Sequence, residues 1–408
     1  MTNFLLLLNI CIQFIFFFIM ALLGISYNGM SESPVYIFTV LGLDCFTFIY
    51  ILIYECIHHK HVTKGTFVWY FIPFIIVFFY LLDCAFSAPL GQISHKTFQF
   101  FLVFSVPAIF IANFVYRYDR LSDLLKNADI LMLIVTISIL RNLPRMVSTG
   151  DCSIGGASYQ VLSYISALAL GITLFNFLGG RQFLRYSIFQ TQFYRYLSLL
   201  FLLVQFFAVL ISGGRGGMVL LILNVCFAFY YLARNQITNL FLFVFLIIPL
   251  IWIFSLNISN SGLSDIVNHG VDRIFSYVSS SGIDMSETSG RDVVYTTAWE
   301  LISQRPLLGY GFFKQYDAMN SSIHNPYCHN IFLELLLQGG CIFLIISVFL
   351  FLHLLNKIRL ILKNKKYQSI LPFALYPFTM LLFSGTYVSD SIFWFVLVYA
   401  MNFKSHCR

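Results

Sequence analysis

Residues 327–354 read YCHNIFLELLLQGGCIFLIISVFLFLHL, and between Ile331 and Leu352 the only charged side chain is Glu334. A helix crossing the ~30 Å hydrocarbon core of a bilayer needs about 20 apolar residues in a row. This run is long enough. Comparable runs lie near 4–24, 35–57, 66–84, 97–116, 128–143, 158–178, 194–212, 216–233, 238–256, 368–384 and 387–403. The chain is therefore expected to be all-α, a polytopic helical membrane protein with about twelve transmembrane helices. A transmembrane barrel would instead show segments of about 10 residues with alternating polarity.

Composition agrees. Of 408 residues 59% are hydrophobic, 18% aromatic and only 10% charged, with a mean hydropathy of +0.83. Soluble domains carry roughly 25% charged residues. The segment from Met1 to Gly24 lacks the basic start of a secretory signal and has a longer apolar run, so it reads as a retained first span. The nine cysteines show no C-x-x-C spacing, which argues against a zinc or redox motif. Cys152 and Cys328 both fall in loops expected on one face, so a bridge between them is left open.

The net charge of +7 is distributed as a membrane topology would require, so no nucleic-acid partner is expected. One set of alternate connections, with the C-terminal tail, holds sixteen of the twenty-four basic residues. The other set holds eight, four of them in the long connection after residue 256, where the positive-inside rule has little force. Both termini are thus expected in the cytoplasm. The chain divides into a bundle of about nine spans (1–256), an outward loop (257–328) and C-terminal spans with a cytoplasmic tail (329–408).

The long loop carries the polar chemistry. SGRDVVYTTAWELISQRPLLGYG starts at Ser289, and HNPYCHN follows at 324–330. Ser289 and Asp292 have capping-box spacing, and Val294, Ala298, Leu301 and Ile302 recur at helical intervals. A short amphipathic helix on the membrane surface is expected, with Arg291 in its first turn and Pro306 past its end. Arg215 sits in ISGGRGGM between two apolar runs. The glycines would let the backbone turn tightly and approach a ligand, and the following helix would offer free N–H groups to an anion. The plainer alternative for Arg215 is a side chain reaching lipid headgroups, and for Arg291 a surface side chain paired with Asp292 or a lipid phosphate. Asn325 and Pro326 read as the cap and first residue of the tenth span, which would put His329 in its first turn. Neighbouring positive charge disfavours imidazolium there, and a neutral ring can accept a proton. The alternative is a boundary His bonded to a headgroup or carbonyl. His324 ranks second to it, and Arg305, Glu300, Asp317 and Glu334 are further candidates. Glu334, deep in the apolar run, suggests an orienting rather than a catalytic role. No Asp-rich metal motif is seen, so neither metal nor cofactor is expected.

The run ISGGRGGMVLL, then SGRD…WELISQRPLLGYG, then HNIFLELLLQGG resembles the bacterial O-antigen polymerases and O-antigen ligases. The likeness covers roughly 211–343. It implies a GT-C-like bundle with one large periplasmic loop, in the bacterial inner membrane. It also implies glycosyl transfer from undecaprenyl-pyrophosphate-linked glycans at the periplasmic face. By this resemblance Arg215 and Arg291 would contact the pyrophosphate and His329 would act on the acceptor hydroxyl. The first motif departs from the commoner Ser-Arg-Gly form, because Gly214 precedes Arg215. A polymerase is favoured over a ligase on general likeness, with a chain-length regulator as an expected protein partner. A lipid-linked glycan flippase is the remaining alternative. It would more commonly show ionisable residues at the bilayer midplane.

Overall fold

The computed structural model describes residues 2–27, 29–58, 64–86, 90–179, 184, 186–232, 278–279, 282–283 and 290–404. The expected ninth span, at 238–256, and residues 257–277, 280–281 and 284–289 of the long loop lie outside the described residues.

The described chain is mainly helical, with a two-strand ladder of Val278–Ser279 and Gly282–Ile283 and an isolated antiparallel bridge between Ile154 and Ala157. In order, the helices are α1 (Thr2–Leu23), α2 (Pro34–His58), α3 (Lys64–Phe86), α4 (Gln92–Phe100), α5 (Val106–Arg117), α6 (Leu121–Leu125), α7 (Ala128–Thr149), α8 (Tyr159–Gly179), α9 (Gln192–Ser212) and α10 (Arg215–Leu232). Within the long loop lie α11 (Arg291–Gln304) and α12 (Lys314–Ile323), and after it come α13 (Ile331–Leu362), α14 (Leu371–Phe383) and α15 (Ser391–Asn402). Among the described residues eight helical segments are long and apolar enough to cross a membrane, and α10 and α15 are shorter apolar helices. Every expected span that falls on described residues coincides with a helix.

Two compact units divide the chain. The first comprises Met1–Val40, Leu121–Val278 and Lys365–Thr379, and the second Leu41–Arg120, Ser279–Asn364 and Met380–Arg408.

In the first unit α8 is the enclosed helix, with 94% of its most apolar window buried. It packs against α7, α9 and α10. Gln205 ties three of these helices together, donating to Thr136 at 2.8 Å and Thr173 at 3.2 Å. The glycines around Arg215 serve this packing. A Cβ at Gly214 would lie 2.3 Å from the Ser163 hydroxyl, and one at Gly216 would lie 1.8 Å from the Tyr164 hydroxyl. Their smallness seats the start of α10 against α8. Only Gly213, at φ 61°, makes the expected tight turn, closing α9 as its C-cap.

In the second unit α4 and α5 run on as one span through a π-helical turn at Phe101–Ser105. That turn presents Ser105, whose hydroxyl donates to the Val388 carbonyl at 2.6 Å. Asn402 of α15 donates to Asn113 of α5 at 2.9 Å. Distant carboxylates cap two helices here. Asp317 of α12 accepts from the Gly91 N–H at 2.7 Å and the Ser94 hydroxyl at 2.6 Å, at the start of α4. Asp83 of α3 accepts from the Phe313 N–H at 2.8 Å, at the start of α12. Both satisfy donors that a helix N-terminus leaves open.

The long apolar run departs most from expectation. At 32 residues, α13 would measure about 48 Å at 1.5 Å per residue, more than a bilayer core needs. It is broken at Gly339 and Gly340, the latter at φ 63° and ψ −161°. The break frees the carbonyls of Leu337 and Gln338, and the RPLLGYG segment takes them. Tyr310 N–H donates to Leu337 at 2.7 Å and Gly311 N–H to Gln338 at 3.0 Å. In return Cys341 N–H donates to Pro306 at 2.8 Å. Two short motifs that look unrelated in sequence are thus the two sides of one backbone joint.

Candidate active site

The second unit brings Arg291 and His329 together. α11 starts at Arg291, and its buried stripe of Val294, Ala298 and Ile302 joins Met319 of α12 and Leu333, Leu336 and Leu337 of α13 in one apolar cluster. The expected amphipathic stripe exists, but it is buried against protein. Val293 and Trp299 remain exposed. Ser289 itself lies outside the described residues. The capping box is replaced by Gly290 as N-cap, at φ 77° and with no side-chain cap bond, because the chain turns into the helix through a left-handed residue.

Arg291 Nη2 donates at 2.7 Å to the carbonyl of Phe383, the last residue of α14. A helix C-terminus carries unsatisfied carbonyls and partial negative charge, so it holds the guanidinium of a half-buried Arg in a defined place.

His329 lies just before α13. The cap of that helix is Asn330, whose side chain accepts from Phe332 N–H at 2.9 Å and Leu333 N–H at 3.3 Å. The expected cap at Asn325 and the placement of His329 in the first turn are therefore corrected. Asn330 wins because its side chain reaches two open donors. Asn325 instead closes a turn over Pro326, accepting the Tyr327 N–H at 3.1 Å. His329 holds φ at 52°, a left-handed conformation costly for a non-glycine residue. Its ring is half-buried. Burial, and secondly the nearby Arg291 guanidinium, push its pKa below the usual value of 6.5. The imidazole is therefore neutral near pH 7, with Nε2 3.3 Å from Asn325 Nδ2.

The other candidates have settings of their own. His324 is the exposed C-cap of α12, at φ 53°. Glu300 is exposed, and Arg305 is exposed over the Tyr310 ring, 4.8 Å from its centroid. Asp317 is occupied as the cap of α4. Glu334 is buried and accepts from the Tyr316 hydroxyl at 2.7 Å and from the Thr386 hydroxyl. It joins the first turn of α13 to α12 and to the turn after α14, the same turn whose start receives Arg291. Arg215, the first residue of α10, belongs to the first unit. Cys152 and Cys328 are both buried and neither is in a disulfide; the Cys152 thiol donates to the Ile211 carbonyl at 3.3 Å. Among the described residues no three His, Cys, Asp or Glu side chains gather as a metal site would need.

Sequence reasoning missed Asn325 as a partner of His329 and the Phe383 carbonyl as the seat of Arg291. The Asn-Pro pair could have suggested the turn. Nothing local could have pointed to a carbonyl 92 residues away.

A chain of apolar helices carrying a polar Arg–His site at the head of one of them is a helical membrane protein. Residues 198–348 match the family model described as O-antigen ligase. That segment includes Arg215, Arg291 and His329, and it supports the likeness to the O-antigen polymerases and ligases, which are membrane glycosyltransferase-like enzymes. No curated protein matches the chain.

Proposed function

We propose that this protein is an O-antigen polymerase. It transfers a growing polysaccharide from undecaprenyl pyrophosphate onto a new lipid-linked repeat unit, at the periplasmic face of the bacterial inner membrane. The observation that carries the reading is a neutral, half-buried His329 beside the fixed cation Arg291, both within the segment that matches the O-antigen ligase model.

The chemistry follows from that pair. The acceptor sugar hydroxyl gives its proton to His329 as its oxygen attacks the anomeric carbon of the donor glycan. The bond from that carbon to the pyrophosphate oxygen breaks, and the electron pair departs with the lipid pyrophosphate. Guanidinium groups stabilise the charge that develops on this leaving group. Arg291 is one, and Arg215, at the N-terminus of α10, is the second on local grounds: a permanent cation beside open helix N–H groups. With two cations supplying that charge, the transfer is metal-independent in this reading. Both termini are cytoplasmic, and a chain-length regulator sets how many repeats are added.

A ligase, moving finished glycan onto lipid A–core, would use the same residues, and the description of the matched family favours it as the second reading. Lipopolysaccharide from a deletion strain, run on a gel, separates the two. Loss of a polymerase leaves core bearing a single repeat unit. Loss of a ligase leaves bare core while polymer accumulates on the carrier lipid. An unchanged ladder would refute both readings, and single repeats trapped on the cytoplasmic side would point to a flippase.

A further inference from the structure

The link between α12 and α13, His324-Asn325-Pro326-Tyr327-Cys328-His329-Asn330, fixes more than a turn. Asn325 Oδ1 accepts the Tyr327 N–H at 3.1 Å. An amide whose oxygen is engaged by a donor presents its nitrogen at the other end. That nitrogen, Nδ2, stands 3.3 Å from Nε2 of His329. Nδ2 can only donate, so Nε2 must accept. The single proton of a neutral ring then resides on Nδ1. Nδ1 is buried and has no partner among the described residues. A buried N–H without an acceptor is unfavourable, and an incoming ligand oxygen would satisfy it. The ring is also held at a strained backbone position, φ 52°, of the kind that persists where the surroundings over-determine it.

We propose that Asn325 is a positioning residue that holds His329 in the Nδ1–H tautomer. Nε2 is then the nitrogen that takes the acceptor proton, and Nδ1–H is a donor reserved for a substrate oxygen. The inference rests on the reading of His329 as the base. The acceptor hydroxyl replaces the long Asn325 contact at Nε2 and gives its proton there as its oxygen bonds to the anomeric carbon. The bond to the pyrophosphate breaks with its electron pair on the leaving group. In the resulting imidazolium both nitrogens donate, so the Asn325 amide, on returning to Nε2 once the product leaves, opposes the new Nε2–H. This favours passing that proton to solvent and resetting the ring. Arg291, whose field reaches the imidazole, opposes the cation as well.

The test uses the full-length chain in detergent or lipid, with histidine labelled by 15N. His329→Gln identifies the His329 signals by difference. The expected spectrum of the unsubstituted chain near pH 7 shows a protonated Nδ1 and an unprotonated Nε2. The opposite tautomer overturns the proposal, and no substitution at position 325 is needed to see it. The second arm is kinetic, with lipid-linked repeat units as substrate. A carboxylate in Asn325→Asp accepts rather than donates, drawing the proton to Nε2 and raising the ring pKa. We expect kcat to fall about 10²-fold, within the range for loss of general-base function. KM should change less than threefold, and the acid limb of the pH profile should move upward. Asn325→Asp with unchanged kcat and acid limb overturns the proposal while leaving His329 as base. An active His329→Ala overturns the base reading itself, and the spectrum then still reports the tautomer.

Discussion

Arg291 and Phe383 lie 92 residues apart, yet the guanidinium of one donates to the carbonyl of the other at 2.7 Å. The cation proposed to bind a diphosphate is thus set on the negative end of a helix. The anchor is neutral, so the positive charge stays available. Arg291→Ala should abolish repeat addition, with kcat falling by at least about 10²-fold. Arg291→Lys should recover only part of it, because an ammonium lacks the planar fork that suits phosphate. Turnover of lipid-linked repeats by membranes carrying each variant is the measurement.

His329 titrates below its ordinary value because it is buried and lies near Arg291. The base form is the neutral one, so activity should be retained as pH falls through 6.5 and decline only below it. Removing the neighbouring charge in Arg291→Gln makes protonation easier and should move the acid limb toward higher pH, even at the much lower rate. A pH profile of kcat/KM for the two proteins checks the direction.

The backbone joint at Gly340 should be intolerant. A Cβ there would meet the Leu307 carbonyl carbon at 2.2 Å, at φ 63°. Gly340→Ala combines a left-handed strain with a clash against backbone that cannot swing away. A cost of about 2 kcal/mol or more is expected, seen as a lower unfolding midpoint in detergent.

Contact between α8 and α10 makes a separable prediction. Gly214→Ala drives its methyl into Ser163, 2.3 Å from the hydroxyl and 2.4 Å from its Cβ. The variant should be less stable, and adding Ser163→Gly should restore much of the loss, since the contacts are with that one side chain. A double-mutant cycle on thermal stability reads the coupling.

Glu334 should behave as a structural acceptor. Glu334→Ala leaves the buried hydroxyls of Tyr316 and Thr386 without their shared partner, at about 1–3 kcal/mol for each group stranded. Glu334→Gln keeps an acceptor oxygen and should retain most stability and turnover. A catalytic carboxylate would lose turnover in both.

The membrane architecture was legible because lipid demands long apolar runs, and Thr2–Leu23 and Tyr159–Gly179 fall where hydropathy puts them. The Arg of SGRD and the His of CHN could be singled out because charge and imidazole are out of place beside such runs. Their neighbours were not legible. The true cap, Asn330, competes with Asn325 only three-dimensionally, through which N–H groups each side chain reaches. The break at Gly339–Gly340 is hidden by the apolar residues on both sides. Its partner, residues 306–311, is recognised through backbone atoms that have no sequence signature. Asp83 and Asp317 look like stray charges until the helix ends they cap are found.

If Arg291 and His329 form the site of glycosyl transfer, neither side chain can be removed without loss of polymer. The most direct test is complementation of a deletion strain with Arg291→Ala and His329→Ala, each shown to be present in the membrane at the level of the unsubstituted protein. Lipopolysaccharide is then resolved by gel. Neither variant should restore the ladder of repeats, while the unsubstituted gene should. A normal ladder from either variant would contradict that assignment.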